Sequence, residues 1–330
     1  MKNLSILLVS PVSTDSPKGN QVTTERWHHH LTNLGHEVTI TQSYSGQNVD
    51  GMIALHARKS APAIKAFDEM RGDEFLIVGL GGTDIYRDYP DSAEAVESIE
   101  RADRLVVLQP RAIEELPVDL QEKGRTIYQS VLNPPVHTMR PNPDQPNTFQ
   151  ILSVAHIRPV KDPIRLPLAL KEIPDDTGIR GFHLGAILDE SCGEEFLEIA
   201  DNQPNFDYMG ELSREKTLQM IRGADALVIS SRLEGGANVV SEAIVLDTPV
   251  LASDIPGNRG MLGEDYSGYF PVGDDDTLRK LILRIHDDND FYSELTHSIT
   301  KRQTEFQPDL EQKRWKHLLE ELHTDSLRSR

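Results

Sequence analysis

The sequence predicts an α/β protein built from two doubly wound, parallel-sheet domains. Strand-length apolar runs alternate with helix-length segments along most of the chain, which is the signal for βαβ units. The alternation breaks once, at Asn133-Pro134-Pro135 and again from Pro141 to Asn147, a proline-rich stretch without period that reads as an interdomain linker. The length of 330 residues is enough for two complete cores, because single domains commonly run about 100 to 200 residues.

In the first series the apolar runs place strands over residues 4–9, 37–41, 51–55, 75–78, 104–108 and 126–130. Helices fit between them at 23–34, 61–70, 92–101 and 110–116. The second series places strands at 149–154, 181–184, 206–209, 226–229, 250–252 and 268–270, with helices at 162–173, 193–200, 214–222, 238–246 and 276–288. Thr248-Pro249 stops the helix that begins at Asn238, because proline cannot continue it. Gly273-Asp274-Asp275-Asp276 reads as a helix start with carboxylates at the positive end of the dipole, not as a metal cluster. The tail from 291 to about 323 is helical and carries Trp315, Leu318, Leu319 and Leu322 on one face. Two such domains joined by a hinge are expected to place a ligand cleft at the carboxyl ends of both sheets.

Composition narrows the partners. A formal charge of −19 argues against nucleic acid and anionic membranes, which need clustered Lys and Arg. The single cysteine, Cys192, excludes an internal disulfide and reads as a small filler residue. No charged-then-apolar leader precedes residue 4, and no apolar run approaches the ~20 residues that cross a bilayer. A soluble, cytoplasmic protein is expected. His28, His29 and His30 are consecutive on a helix, point in different directions and cannot grip a metal together.

The most informative stretch runs from Ser230 to Gly257. A buried strand leads into Gly235-Gly236, followed by the helix from Asn238. The glycines let backbone approach a ligand, and free amides at a helix start make an anion site. Glu234 precedes the glycines and Glu242 lies about a turn into the helix. Carboxylates beside an anion site are poor phosphate ligands but good acceptors for sugar hydroxyls. The composite ligand is a sugar joined through a diphosphate to a ribose.

Further contacts gather at strand ends. Gly19, Asn20 and Thr23, after Pro17-Lys18, form a loop running into a helix, suited either to capping or to an anion. His56 follows a strand and reads equally as a ligand to a sugar hydroxyl or as the start of a helix. Arg58 and Lys59 beside it suit an anionic acceptor. Gly81-Gly82-Thr83-Asp84 brings a hydroxyl and a carboxylate to the same edge, although an Asx-type turn also explains Asp84.

Glu234 and Glu242, with seven residues between them, after a strand ending in serine and before Thr248-Pro249-Val250-Leu251-Ala252-Ser253, resemble the signature of GT-B glycosyltransferases of family 4. The resemblance implies that Glu234 sits by the donor sugar and diphosphate and that Glu242 binds the ribose hydroxyls. It implies a phosphate cradle at Gly235, Gly236, Ala237 and Asn238, and base contacts near Gly210 and Leu212. Lys161 matches the family's diphosphate lysine. The usual arginine position is His156, with an arginine two residues later as Arg158. The family also implies a first domain over 1–140, completed by a C-terminal helix at 308–325, and a donor domain over 141–307. No metal or other cofactor is expected.

Four motifs together narrow the resemblance: Gly19 to Thr23 with Arg26-Trp27, Leu55 to Arg58 with Ser60, Gly82-Thr83-Asp84 with Tyr86-Arg87-Asp88, and His156-Ile157-Arg158 with Lys161-Asp162-Pro163. The set is similar to the selenosugar synthases of selenoneine biosynthesis. This implies UDP-N-acetylglucosamine or UDP-glucose as donor substrate and selenophosphate as acceptor. Glu234, Lys161, Arg158 and His56 would be catalytic, and Gly19, Asn20, Thr23, Arg58, Thr83 and Asp84 would face the acceptor. Transfer to an oxygen acceptor and epimerisation of the nucleotide sugar are the competing expectations.

Overall fold

A computed structural model describes residues 3–11 and 19–328. The chain divides into two compact units, Met1–Leu132 with Glu305–Arg330, and Asn133–Thr304.

The first unit holds a six-stranded parallel sheet of β1 (Ser5–Val9), β2 (Glu37–Thr41), β3 (Gly51–Leu55), β4 (Phe75–Leu80), β5 (Arg104–Val107) and β6 (Gly124–Thr126), in the order β2-β1-β3-β4-β5-β6. Its inner strands β1, β3 and β4 read as largely apolar runs because both faces are covered. Leu7, Val9, Met52 and Ala54 meet Ile64 and Phe67 on one face. Ile6, Leu8, Ile53 and Leu55 meet Trp27 and Leu31 on the other.

The C-terminal helix Pro308–Arg328 joins that second face through Trp315, Leu318, Leu319 and Leu322, the four residues expected to form its apolar stripe. Trp315 packs edge-on against Trp27, with ring centroids 5.0 Å apart. Arg104 and Arg125 clamp Glu321 on the same helix, and these guanidinium contacts, Arg125 first, hold its carboxyl down at about 2.

The second unit repeats the architecture with β7 (Phe149–Val154), β8 (Ile179–Leu184), β9 (Phe206–Tyr208), β10 (Ala226–Ile229), β11 (Val250–Ser253) and β12 (Tyr269–Phe270), all parallel, in the order β12-β11-β10-β7-β8-β9. The strand order reverses between β10 and β7. In open α/β sheets ligands bind outside the carboxyl ends of strands at such a switch. In the first sheet the switch lies between β1 and β3.

Several boundaries differ from expectation for identifiable reasons. The strand expected at 126–130 lies at Gly124–Thr126, because beyond Ile127 the backbone leaves the ladder and Ser130 N–H donates to the Glu311 carboxylate at 2.6 Å. The helix expected from 162 shortens to Arg165–Leu170. Asp162 before it has φ +47° and closes a short 3₁₀ turn, Pro159–Lys161, instead.

The tail is two helices, Asn289–Thr300 and Pro308–Arg328, separated by the turn Gln303–Phe306. The proline-rich stretch is tied to the second unit: Met139 N–H donates to Gln219 O at 3.0 Å, and Arg140 makes a two-pronged pair with Asp225 at 3.0 and 2.8 Å. The units therefore divide at Leu132, ahead of the expected 140. Asp274 caps its helix through Thr277 N–H at 2.9 Å, as its sequence context predicts.

Candidate active site

In the second unit, the loops after β7 and β10 flank the switch in strand order and bring together the residues expected to hold a nucleotide sugar. Lys161 Nζ contacts Glu234 Oε1, with both side chains largely buried. The two loops are laced by backbone and hydroxyl bonds. Ser230 Oγ donates to the carbonyls of Lys161 (3.1 Å) and Asp162 (2.8 Å), and Arg232 N–H donates to Val160 O at 2.9 Å. Arg165 and Arg232 both reach the buried Asp162 carboxylate. The lysine thus stands on a turn whose curvature the neighbouring strand fixes.

Behind Glu234 the packing tolerates no side chain. A Cβ on Gly257 would lie 2.1 Å from Glu234 O, so only glycine lets the segment after β11 approach the glutamate backbone this closely. Ser253 Oγ donates to Ser231 O at 2.6 Å, and Asn258 Nδ2 donates to Ser253 O at 2.9 Å, tying that segment to the same loop.

Gly235, Gly236 and Ala237 follow, and the helix Asn238–Val245 begins. Among the described residues the amides of Gly235, Gly236 and Ala237 have no hydrogen-bond partner. They point the sequence expectation of an anion cradle at a set of free donors. Glu242, one turn in, is 5% exposed, and its Oε1 accepts from Arg214 Nη1 at 2.7 Å.

The β7 loop clarifies the arginine question. His156, at the position where the resembled family carries arginine, uses Nδ1 to accept from Ala186 N–H at 3.2 Å. Arg158 is exposed and forms no ion pair among the described residues, which leaves its guanidinium available on the same loop. Beneath the loop, His183 Nε2 lies 2.9 Å from Ala155 O; burial lowers its pKa to about 4, so the ring is neutral and Nε2–H donates. Gly210 has φ +71°, and its carbonyl accepts from Gly185 N–H at 2.9 Å; Leu212 beyond it is half-buried.

In the first unit, His56 directly follows β3 with φ +75°, a conformation few non-glycine residues adopt. Its Nδ1 lies 2.5 Å from Asp84 Oδ1, close but not aligned as a hydrogen bond, and Nε2 is buried without a hydrogen-bond partner. Asp84 also accepts from Gly81 N–H at 2.8 Å and from Arg58 N–H at 3.4 Å. Arg58 Nε pairs with Asp88 at 2.8 Å. Thr83, half-buried, precedes Asp84 in the same turn.

Ligand atoms of His56, Asp84 and Asp88 lie within 4.8 Å of one another, a metal-ligand spacing that the sequence reading did not single out. The carboxylates are already engaged by backbone amides and a guanidinium. A cation here would have to displace Arg58 from Asp88.

The Gly19–Thr23 expectation needs correction. Gly19 and Asn20 form the first turn of the helix Gly19–Asn33, not a loop. Thr23 is buried, and its hydroxyl accepts from Gln129 Nε2 at 2.9 Å, an interaction inside the unit. Pro17 and Lys18 lie outside the described residues. His30 likewise turns inward, to Ser130 Oγ and Glu311, each 3.2 Å away. Two residues have no role assigned to them in the sequence reading. Asp88 follows Asp84 by four on one helical turn, a spacing that could have been read. Arg214 is brought to Glu242 only by the fold.

Residues 138–305 match the family described as glycosyl transferases group 1. The chain belongs to that family. Solved glycosyltransferase structures share its architecture. Anabaena HepE, in complex with UDP and glucose, superposes with a TM-score of 0.77 at 13% identity, covering 97% of this chain and 100% of HepE. Sucrose-phosphate synthase from Thermosynechococcus elongatus gives 0.77 at 15% identity, covering 97% and 99%. S. aureus TarM gives 0.61 at 16% identity over 81% of this chain, which spans about half, 55%, of TarM. At these identities the likeness is one of fold, and the fold of this glycosyltransferase is GT-B. Among the described residues no helix is long and apolar enough to cross a membrane.

Proposed function

We propose that this glycosyltransferase moves a hexose, N-acetylglucosamine or glucose, from a UDP-sugar to selenophosphate in the cytoplasm. Selenium attacks the anomeric carbon, a C–Se bond forms, and the bond from that carbon to the diphosphate oxygen breaks. Hydrolysis of the Se–P bond then leaves a 1-seleno sugar and phosphate. The donor half of this reading rests on the meeting of Lys161 with Glu234 ahead of three free amides. It is supported by the UDP and glucose bound to HepE and the UDP and GlcNAc bound to pneumococcal GtfA.

In this mechanism Lys161, with Arg158, neutralises the leaving diphosphate, doing electrostatically what a metal does elsewhere. The amides at Gly235, Gly236 and Ala237, with Asn238, cradle phosphate and sugar. Glu234 orients the sugar, Glu242 accepts from the ribose hydroxyls, and Gly210 and Leu212 border the base. The acceptor half rests on the resemblance of the four motifs to those of selenosugar synthases. Arg58, Thr83, Asp84 and His56 receive the small anion, with Gly19 and Asn20 at the neighbouring helix start.

Purified protein incubated with UDP-N-acetylglucosamine or UDP-glucose, with and without selenophosphate, tests the proposal by mass spectrometry. UDP release and a seleno-sugar mass that both require selenophosphate are expected. UDP release with sugar alcohols and none with selenophosphate would instead identify an oxygen acceptor. One observation favours that second reading: the unpartnered Nε2 of His56 suits an acceptor that arrives with a proton to lose.

A further inference from the structure

Arg214 is the first residue of the helix Arg214–Gly223, a position where the helix dipole disfavours a cation. Its own helix therefore does not explain it. Ser213 caps that helix, and the arginine side chain leaves it to reach Glu242, a carboxylate on the helix Asn238–Val245. The pair is asymmetric: the arginine side chain is 43% exposed and the glutamate 6%. One carboxylate oxygen, Oε1, is held at 2.7 Å, and Oε2 takes no partner among the described residues. A buried carboxylate is costly without a counter-charge, and Arg214 is the cation that meets it.

We infer that Arg214 is a positioning residue of the ribose subsite. It clamps one oxygen of Glu242 and leaves the other oxygen aimed at the vicinal hydroxyls of the nucleotide. It also offsets a negative charge that would otherwise repel the diphosphate. The inference rests on Glu242 being the ribose ligand. Ribose discrimination in this enzyme is then a property of two residues, 28 apart in sequence.

Calorimetric titration of the full chain with UDP and with 2′-deoxy-UDP separates the possibilities. Wild type should bind UDP and prefer it over the deoxy analogue. Arg214→Ala should weaken UDP binding about tenfold, the equivalent of one lost charge-assisted hydrogen bond, and weaken the deoxy analogue much less. Arg214→Lys should fall between and carries the comparison if the alanine variant does not fold. Adding Arg214→Ala to Glu242→Gln should change little further.

If wild type binds UDP and discriminates, but Arg214→Ala is unchanged or the two substitutions are additive, the positioning role is overturned. Absence of UDP binding, or of discrimination, in wild type would overturn the donor reading itself.

Discussion

Replacing Lys161 by methionine keeps the length and packing of the side chain and removes one charge. Two consequences follow and differ in size. The first is catalytic: a preorganised donor aimed at charge that develops on a leaving group contributes about 10²–10³ in kcat. The second is structural, because Glu234 loses the cation that contacts it. Removing one partner of a fully buried pair costs about 3–5 kcal/mol. Here the lysine and glutamate side chains remain 18% and 10% exposed, so water partly screens the loss. About 1–2 kcal/mol is therefore the reasonable expectation.

In a unit of this size that lowers the melting temperature by about 2–4 °C per kcal/mol. UDP release at saturating donor should fall at least a hundredfold while the donor Michaelis constant moves little, since the charge matters most in the transition state. Adding Glu234→Gln removes the stranded carboxylate and should restore the melting temperature without restoring turnover. A Lys161→Met enzyme turning over within twofold of wild type would refute the leaving-group role.

Gly257→Ala forces a methyl to 2.1 Å from Glu234 O and should cost about 1–3 kcal/mol, with a larger loss of activity than of stability because the displaced segment carries Glu234. The check is turnover measured alongside a thermal melt. His183 contributes an acid-sensitive term. Its pKa is about 4 when folded and about 6.5 unfolded, so between those values the unfolded chain binds a proton that the folded chain does not. Stability is full above about pH 6.5 and declines as pH falls towards 4; His183→Gln should flatten that limb of the melting-temperature profile. Trp315→Ala empties a fully buried site against Trp27 and should cost about 3–5 kcal/mol. Hydrogen exchange should then rise first in the helix Pro308–Arg328.

Local pattern carried most of the architecture. β2, β3, β7 and β10 are readable to the residue; β3 and β10, buried along their whole length, are unbroken apolar runs bounded by turn residues, and that signal lies within four or five positions. The same holds for Gly235-Gly236 ahead of Asn238, where the turn and the helix start are neighbours in the chain.

What the sequence left open was decided at long range. Nothing near Thr23 announces that its hydroxyl is taken by Gln129, and nothing near Ser130 that its amide leaves the ladder for Glu311. The partners of Glu234 and Glu242, Lys161 and Arg214, lie 73 and 28 residues away. Periodicity reports which face of an element is buried, and composition reports what chemistry is present. Which charges meet depends on the order of strands in the sheet, and the reversal between β10 and β7, which sets the loops of Lys161 and Glu234 side by side, exists only once the chain has folded.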